Sequence, residues 1–152
     1  YSLLRKLFAW IPMDVTPAGF DRPLGEALLE PHRNYLAVLE GAVATGAIKA
    51  LAHITGGGLP ENLPRVLPGE VDAVVDLDSW PRPALFRLVA ELASALDDRE
   101  LHRTLNMGIG MVVICAPDDA DVVRSAIAEE TWVIGQLVAH HPAAGRVRLT
   151  RR

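Results

Sequence analysis

The stretch that says most about the fold is HITGGGLPENLPR, which runs from residue 53 to residue 65. The apolar residues 48–54 lead into three consecutive glycines, and a proline follows where a helix could begin. Because glycine has no Cβ, this turn can adopt positive φ and bring its backbone amides close to a ligand. A turn that enters a helix also presents unpaired N–H groups to an anion. We therefore expect a strand, a glycine turn and a short helix, with Gly56, Gly57 and Gly58 as candidate binding residues.

The glycine run alone leaves a purely structural turn as an alternative, because it matches neither GxxxxGK[ST] nor GxGxxG. The polar residues around it also allow two readings each. Thr55 is either a hydroxyl donor to a ligand or an ordinary β-branched strand residue. His53 could bind or transfer a proton, since its unperturbed pKa of ~6.5 allows either state, or it could be structural. Asn62 could donate to a ligand or cap backbone amides, and Arg65 could meet phosphate or solvent.

The rest of the chain alternates between helical and extended patterns. Residues 11–25 lack clear periodicity and are assigned to a loop. Such alternation predicts one domain of the α+β or α/β class, with helices packed on a sheet. The expected helices cover residues 2–9, 24–29, 35–45, 61–66, 83–96, 97–103 and 118–130, and the expected strands cover residues 48–54, 73–77, 109–116, 132–138 and 146–150.

Composition excludes several classes of function. The chain has 152 residues, a net charge of −4 and 50% hydrophobic residues, a balance that argues against binding to nucleic acid or to an anionic membrane. No uncharged apolar segment approaches the ~20 residues that span a bilayer, and no signal peptide is visible. The single cysteine, Cys115, suits a reducing compartment, so we expect a cytoplasmic protein. The adjacent His140 and His141 have no carboxylate near them in the sequence and are expected to be exposed loop residues.

A second segment, ELHRTLNMGIGM, covers residues 100–111 and precedes another apolar run. Together the two segments closely resemble phosphoribosylformylglycinamidine cyclo-ligase, also called aminoimidazole ribonucleotide synthetase. The family reads HITGGGLPENLPRVLP at the first site, which this chain matches from residue 53 to residue 68, and approximately EMYRTFNMGIGM at the second. The second site departs at Leu101, His102 and Leu105. A third segment, after Pro31, departs from the family's Thr-Arg-Ile-Tyr at two positions, His32 and Asn34.

The resemblance implies an α+β domain of three α/β/α layers, with a mixed sheet flanked by helices and a partly ferredoxin-like topology. The family enzyme is a homodimer of two-domain subunits, and residues 1–152 resemble only its second domain. We therefore expect one domain here, the carboxy-terminal half, without the amino-terminal nucleotide-binding domain. In the family that absent domain carries most of the nucleotide and metal ligands.

The family reaction is an ATP-dependent ring closure, accompanied by Mg²⁺, that converts formylglycinamidine ribonucleotide to aminoimidazole ribonucleotide in purine biosynthesis. The resemblance implies that this half binds substrate, holds no metal ligands and is inactive alone. It assigns substrate binding to Thr55, Gly56, Gly57, Gly58, Asn62, Asn106 and Arg33, and a catalytic role to His53. For Asn106 the alternative is a turn residue that tolerates left-handed geometry.

Two other functions stay open at this point. One is a related ATP-using enzyme, such as a selenophosphate synthetase, a thiamine monophosphate kinase or the amidotransferase of the preceding step. The other is a non-catalytic interaction module of the same fold, which the departures at His32, Asn34, His102 and Leu105 allow.

Overall fold

The structure is a computed structural model that describes residues 2–151. Helices and strands alternate along most of the chain, and the α+β class is confirmed. Short 3-10 turns cover Leu63–Arg65 and Pro117–Asp119. In chain order the elements are α1 (Ser2–Leu7), α2 (Leu24–Leu28), α3 (Leu36–Ala44), β1 (Ile48–His53), α4 (Gly58–Asn62), β2 (Val71–Asp76), α5 (Ala84–Leu92), α6 (Asp98–Thr104), β3 (Met111–Cys115), α7 (Ala120–Ser125), β4 (Gly135–Ala139) and β5 (Val147–Thr150).

The strands are divided between two sheets. Strands β1 and β3 form an antiparallel pair, whereas the second sheet is mixed and has the order β4-β2-β5, with β2 antiparallel to β4 and parallel to β5. In the first pair His53 lies opposite Met111. The carboxyl end of β1 and the amino end of β3 therefore lie side by side, which brings the glycine turn next to the loop that precedes β3.

Two groups of buried apolar side chains form the interior. The first lies between the strands and α4, and includes Ile54, Leu59, Leu63, Val75 and Ile109. The second lies among the helices and is formed by Phe8, Leu24, Val89, Ala93, Leu101 and Met107. Burial on this scale, roughly 1.5–3 kcal/mol for each large side chain, is what holds the short helices in place.

Several predicted boundaries are wrong, among them the start of α4, which is at Gly58 rather than Glu61, and the end of α5, which is at Leu92 rather than Leu96. Helix α7 ends at Ser125 rather than near Glu130. The N–H of Ala126 is shared between the carbonyls of Val122 and Val123, and the N–H of Ile127 bonds the i−3 carbonyl of Arg124, so the last turn tightens and the α-helical pattern stops. Gly41 of α3 also approaches the Ala126 carbonyl so closely that a Cβ there would be 2.8 Å from its oxygen. Strand β4 begins at Gly135 rather than at Trp132.

Among residues 2–151 no helix is long and apolar enough to cross a membrane.

Candidate functional site

The glycine turn connects β1 to α4, and its conformation requires glycine at two positions. Gly57 has φ +90° and Gly58 has φ +56°, a region that other residues rarely adopt. A Cβ on Gly58 would overlap the backbone carbonyl oxygen of His102 and lie 2.9 Å from the carbonyl oxygen of Leu105. The turn is therefore pressed against the end of α6, with no room for a side chain.

Asn62 fixes the shape of the turn from within. It is buried, and its Nδ2 donates to the carbonyl oxygens of Gly56 at 3.1 Å and Gly58 at 2.8 Å. Asn62 was expected to meet a ligand or to cap backbone amides, and in the structure it holds two carbonyls instead. No acceptor within residues 2–151 receives the N–H groups of Gly56 and Gly57. These two amides are the free donors of the turn.

The loop before β3 lies beside the glycine turn. The N–H of Ile54 donates to the carbonyl oxygen of Gly110 at 2.8 Å, which ties the two segments together. Asn106 is half-buried, and its Oδ1 accepts from the N–H of Gly108 at 3.1 Å, so its side chain carbonyl closes a turn of its own loop. Met107 is fully buried with φ +49°, a conformation that a non-glycine residue adopts only where its surroundings impose it.

His53 and Thr55 are exposed beside the turn. The Nε2 of His53 lies 2.9 Å from the Nε2 of His32, and the ring of Tyr35 meets His53 edge-on at 5.9 Å. His32, a departure from the family pattern, is therefore the hydrogen-bonding neighbour of the candidate catalytic residue. In this contact one imidazole nitrogen donates and the other accepts, and the tautomers of the two rings decide which one is the donor.

Arg33 forms an ion pair with Glu129, an exposed contact between two distant segments. The structure thus brings together, in one region, His53, Thr55, the three glycines, Asn62 and Asn106. The guanidinium group of Arg33 instead forms its ion pair with Glu129.

A metal site does not form in the described part of the chain, where no three His, Cys, Asp or Glu side chains converge.

Sequence reasoning missed one buried polar centre. Asp72 of β2 is fully buried, and its carboxylate contacts His140 Nδ1 at 2.8 Å, the N–H of His141 at 3.0 Å and Arg146 Nε at 3.3 Å. The hydrogen bond from His140, followed by that from His141, holds the pKa of Asp72 below its usual value despite burial. His140 is exposed as expected but does have a carboxylate partner. Because Asp72 and His140 are 68 positions apart in the sequence, no local pattern linked them.

A second unexpected group lies behind the glycine turn. His102 is 1% exposed, and neither of its ring nitrogens finds a partner within residues 2–151. Its ring meets Trp80 edge-on at 6.0 Å, and burial, with a smaller effect of Arg82, lowers its pKa to about 4. The imidazole is therefore neutral at pH 7 and behaves as a packing side chain.

Residues 10–147 match the family model described as AIR synthase related protein, C-terminal domain. Proteins of this superfamily are ATP-using enzymes, and they include selenophosphate synthetase and thiamine monophosphate kinase. Since the match covers nearly all of the sequence, the chain belongs to the C-terminal domain family of AIR synthase related proteins.

Proposed function

We propose that this chain is the substrate-binding domain of an ATP-dependent cyclo-ligase that converts formylglycinamidine ribonucleotide to aminoimidazole ribonucleotide. The glycine turn is the part of the chain that would bind the substrate, through its phosphate or ribose. The proposal rests on the match to the cyclo-ligase pattern from residue 53 to residue 68 and on the geometry of that segment.

One observation supports a binding role for the turn most strongly, namely the environment of Gly56. Its φ is not in the left-handed region, and no atom of residues 2–151 lies within 4 Å of a Cβ built there. The fold of this chain therefore does not require glycine at position 56. Close approach of a ligand to the backbone does explain it, and the free N–H groups of Gly56 and Gly57 supply the donors for an anion.

The neighbouring side chains complete the proposed roles. Asn62 holds the carbonyls of the turn inward, so that its amides stay directed away from the core. The exposed Thr55 adds a hydroxyl donor, and Asn106 adds an amide at the adjacent loop. His53, with His32 beside it, is placed to exchange a proton as the amidine nitrogen attacks. In such a reaction the protein mainly positions the reacting groups and stabilises phosphoryl charge.

ATP supplies the phosphoryl group that activates the substrate amide oxygen, and phosphate leaves when the ring closes. We assign ATP and Mg²⁺ to a separate amino-terminal domain, as the resemblance to the cyclo-ligase family implies. Three large apolar side chains, Trp10, Leu29 and Leu36, are 71%, 82% and 79% exposed and offer contacts to such a domain. The proposal includes a homodimeric, cytoplasmic holoenzyme, with this chain inactive alone.

We prefer the cyclo-ligase to other ATP-using members of the superfamily because two sequence segments together match its residue pattern. Residues 53–65 read HITGGGLPENLPR, and residues 103–111 read RTLNMGIGM. Thiamine monophosphate also carries a phosphate, so a phosphate-binding turn alone does not separate the two substrates. The relative affinities of the chain for thiamine monophosphate and for formylglycinamidine ribonucleotide do separate them.

Gly56→Val tests the proposed role of the turn. We expect the affinity of the chain for formylglycinamidine ribonucleotide, measured by isothermal titration calorimetry, to fall at least about tenfold, or ~1.4 kcal/mol. The added side chain would occupy the space through which the ligand approaches, while the fold stays unchanged because that space is open.

Gly69→Val is the matched control. Gly69 also has an ordinary φ and no atom within 4 Å of a built Cβ, but it lies outside the turn. Its variant should keep the wild-type affinity within about twofold. Equal affinities of the two variants would contradict the assignment, and tighter binding of thiamine monophosphate than of the purine precursor would favour the kinase.

A further inference from the structure

A cleft of about 380 Å³ lies where β5 approaches the beginning of α6. Its lining is rich in arginine and contains one acidic residue, Asp98. The cleft is formed by Leu77, Asp98, Arg99, Gly145 and residues 147–151. None of the residues that form the glycine turn lines it, so it is a separate feature of the molecule.

The acidic groups near this cleft are already neutralised. Asp98 Oδ1 accepts from Arg82 Nη2 at 3.1 Å, and Asp98 also forms an ion pair with Arg151. Arg151 makes a further contact, 3.3 Å from its Nη1 to Oδ1 of Asp78. Two arginines remain, Arg99 and Arg148, and neither meets a carboxylate or a hydrogen-bond acceptor within the described residues 2–151. The cleft therefore holds two uncompensated positive charges.

Arg148 gives the strongest sign of a missing ligand. It lies on β5, opposite Val74, and its Nε is buried without an acceptor among the residues that the structure describes. A buried charged donor without a partner destabilises the fold, so native proteins rarely leave one unsatisfied. An acceptor from outside the chain would remove this cost. The arginine fork suits the paired oxygens of a phosphate, which it binds with two parallel N–H···O bonds.

We propose that this cleft is an anion site in which Arg99 and Arg148 bind the phosphate group of a small molecule. The volume lies at the lower end of the range for small-molecule sites, so the site accommodates free phosphate or a compact sugar phosphate. Arg151 stays paired with the two aspartates and borders the site without carrying it. This inference does not depend on the substrate assigned to the glycine turn.

An amide NMR titration of the 152-residue chain tests the site, with inorganic phosphate in one arm and ribose 5-phosphate in the other. We expect saturable shifts at Gly145, Arg148 and Thr150, which weaken as salt is raised because the contact is charge-based. The two arms distinguish the sources. Tighter binding of ribose 5-phosphate identifies a sugar phosphate as the ligand, and equal binding identifies the phosphate group alone.

The double variant Arg99→Gln and Arg148→Gln is expected to weaken binding at these amides at least about tenfold. Arg5→Gln is the matched control, because Arg5 is an exposed helix residue away from the cleft, and it should change the affinity less than about twofold. Arg99→Gln alone, at an exposed position, keeps the test valid if loss of Arg148 impairs folding. We expect this single variant to weaken phosphate binding about threefold.

Three outcomes would overturn the inference. They are the absence of shifts at the cleft, unchanged affinity there in the folded double variant, and phosphate shifts confined to residues 55–58. The last outcome would leave the proposed role of the glycine turn intact, so failure of the two proposals can be told apart.

Discussion

Gly58→Ala is expected to lower the free energy of unfolding by about 4 kcal/mol, a large part of the stability of a small domain. Two costs combine at this position. The φ of +56° is unfavourable for alanine by about 1 kcal/mol. The larger cost is steric, because a Cβ would overlap the carbonyl oxygen of His102 and lie 2.8 Å from its carbonyl carbon. Backbone atoms cannot rotate away as a side chain can, so α6 or the turn must shift.

Urea denaturation followed by circular dichroism measures this effect, and Gly56→Ala is the control within the same turn. Gly56 has an ordinary φ and open space around its Cα, so alanine there should change the free energy of unfolding by less than about 1 kcal/mol. Equal unfolding midpoints for the two variants would show that the turn does not press against α6 as described.

Acidification from pH 7 to pH 4 is expected to reduce stability by about 3 kcal/mol through His102 alone. Burial lowers the pKa of His102 from 6.5 to about 4 in the folded chain. Between these two values the unfolded chain binds a proton that the folded chain does not, so stability rises with pH across the interval. The contribution is fully present above pH 6.5 and is lost as the pH falls toward 4.

His102→Leu should abolish most of this dependence, because leucine has similar volume and no titrating nitrogen. Unfolding free energies at pH 7 and pH 4 measure it, and His141→Leu is the control at an exposed histidine. Titration of Asp72 contributes little to the change in stability between pH 7 and pH 4. The pKa of Asp72 is lowered from 3.8, so its contribution is lost only below that pH. Parallel pH profiles of wild type and His102→Leu would contradict the buried, neutral state of His102.

The elements whose signals are local were predictable. The apolar residues 48–54 followed by glycines gave a strand and a turn, and residues 97–103 gave a helix. In the structure the Asp97 carboxylate caps this helix by accepting from the N–H of Glu100 at 2.8 Å. Such features depend on neighbours within three or four residues, which is the distance over which sequence patterns are informative.

The features that depend on distant residues were not predictable. The end of α7 lies against Gly41 of α3, which is far away in the sequence, and the division of the strands between two sheets follows from pairing between distant segments. His102 looked like one more polar helix residue, yet it is buried behind the turn. At the site, the glycines were found from sequence, whereas the way in which Asn62 holds two carbonyls required the fold.

The pairing of His53 with His32 illustrates the same limit. The family pattern marked His32 only as a departure. The two histidines are 21 positions apart in the sequence, and no local pattern linked them. The end of β1 and the segment after Pro31 meet around the Tyr35 ring. This ring lies edge-on to His53, and its hydroxyl is so close to Gly110 that a Cβ there would overlap it.

The most direct test of the central claim is an amide NMR titration of the 152-residue chain with formylglycinamidine ribonucleotide. We predict saturable shifts concentrated at Thr55, Gly56, Gly57 and Asn106, and their loss in Gly56→Val. An unperturbed spectrum of the folded chain, or shifts only at the cleft around Arg148, would contradict the claim that the glycine turn binds the substrate.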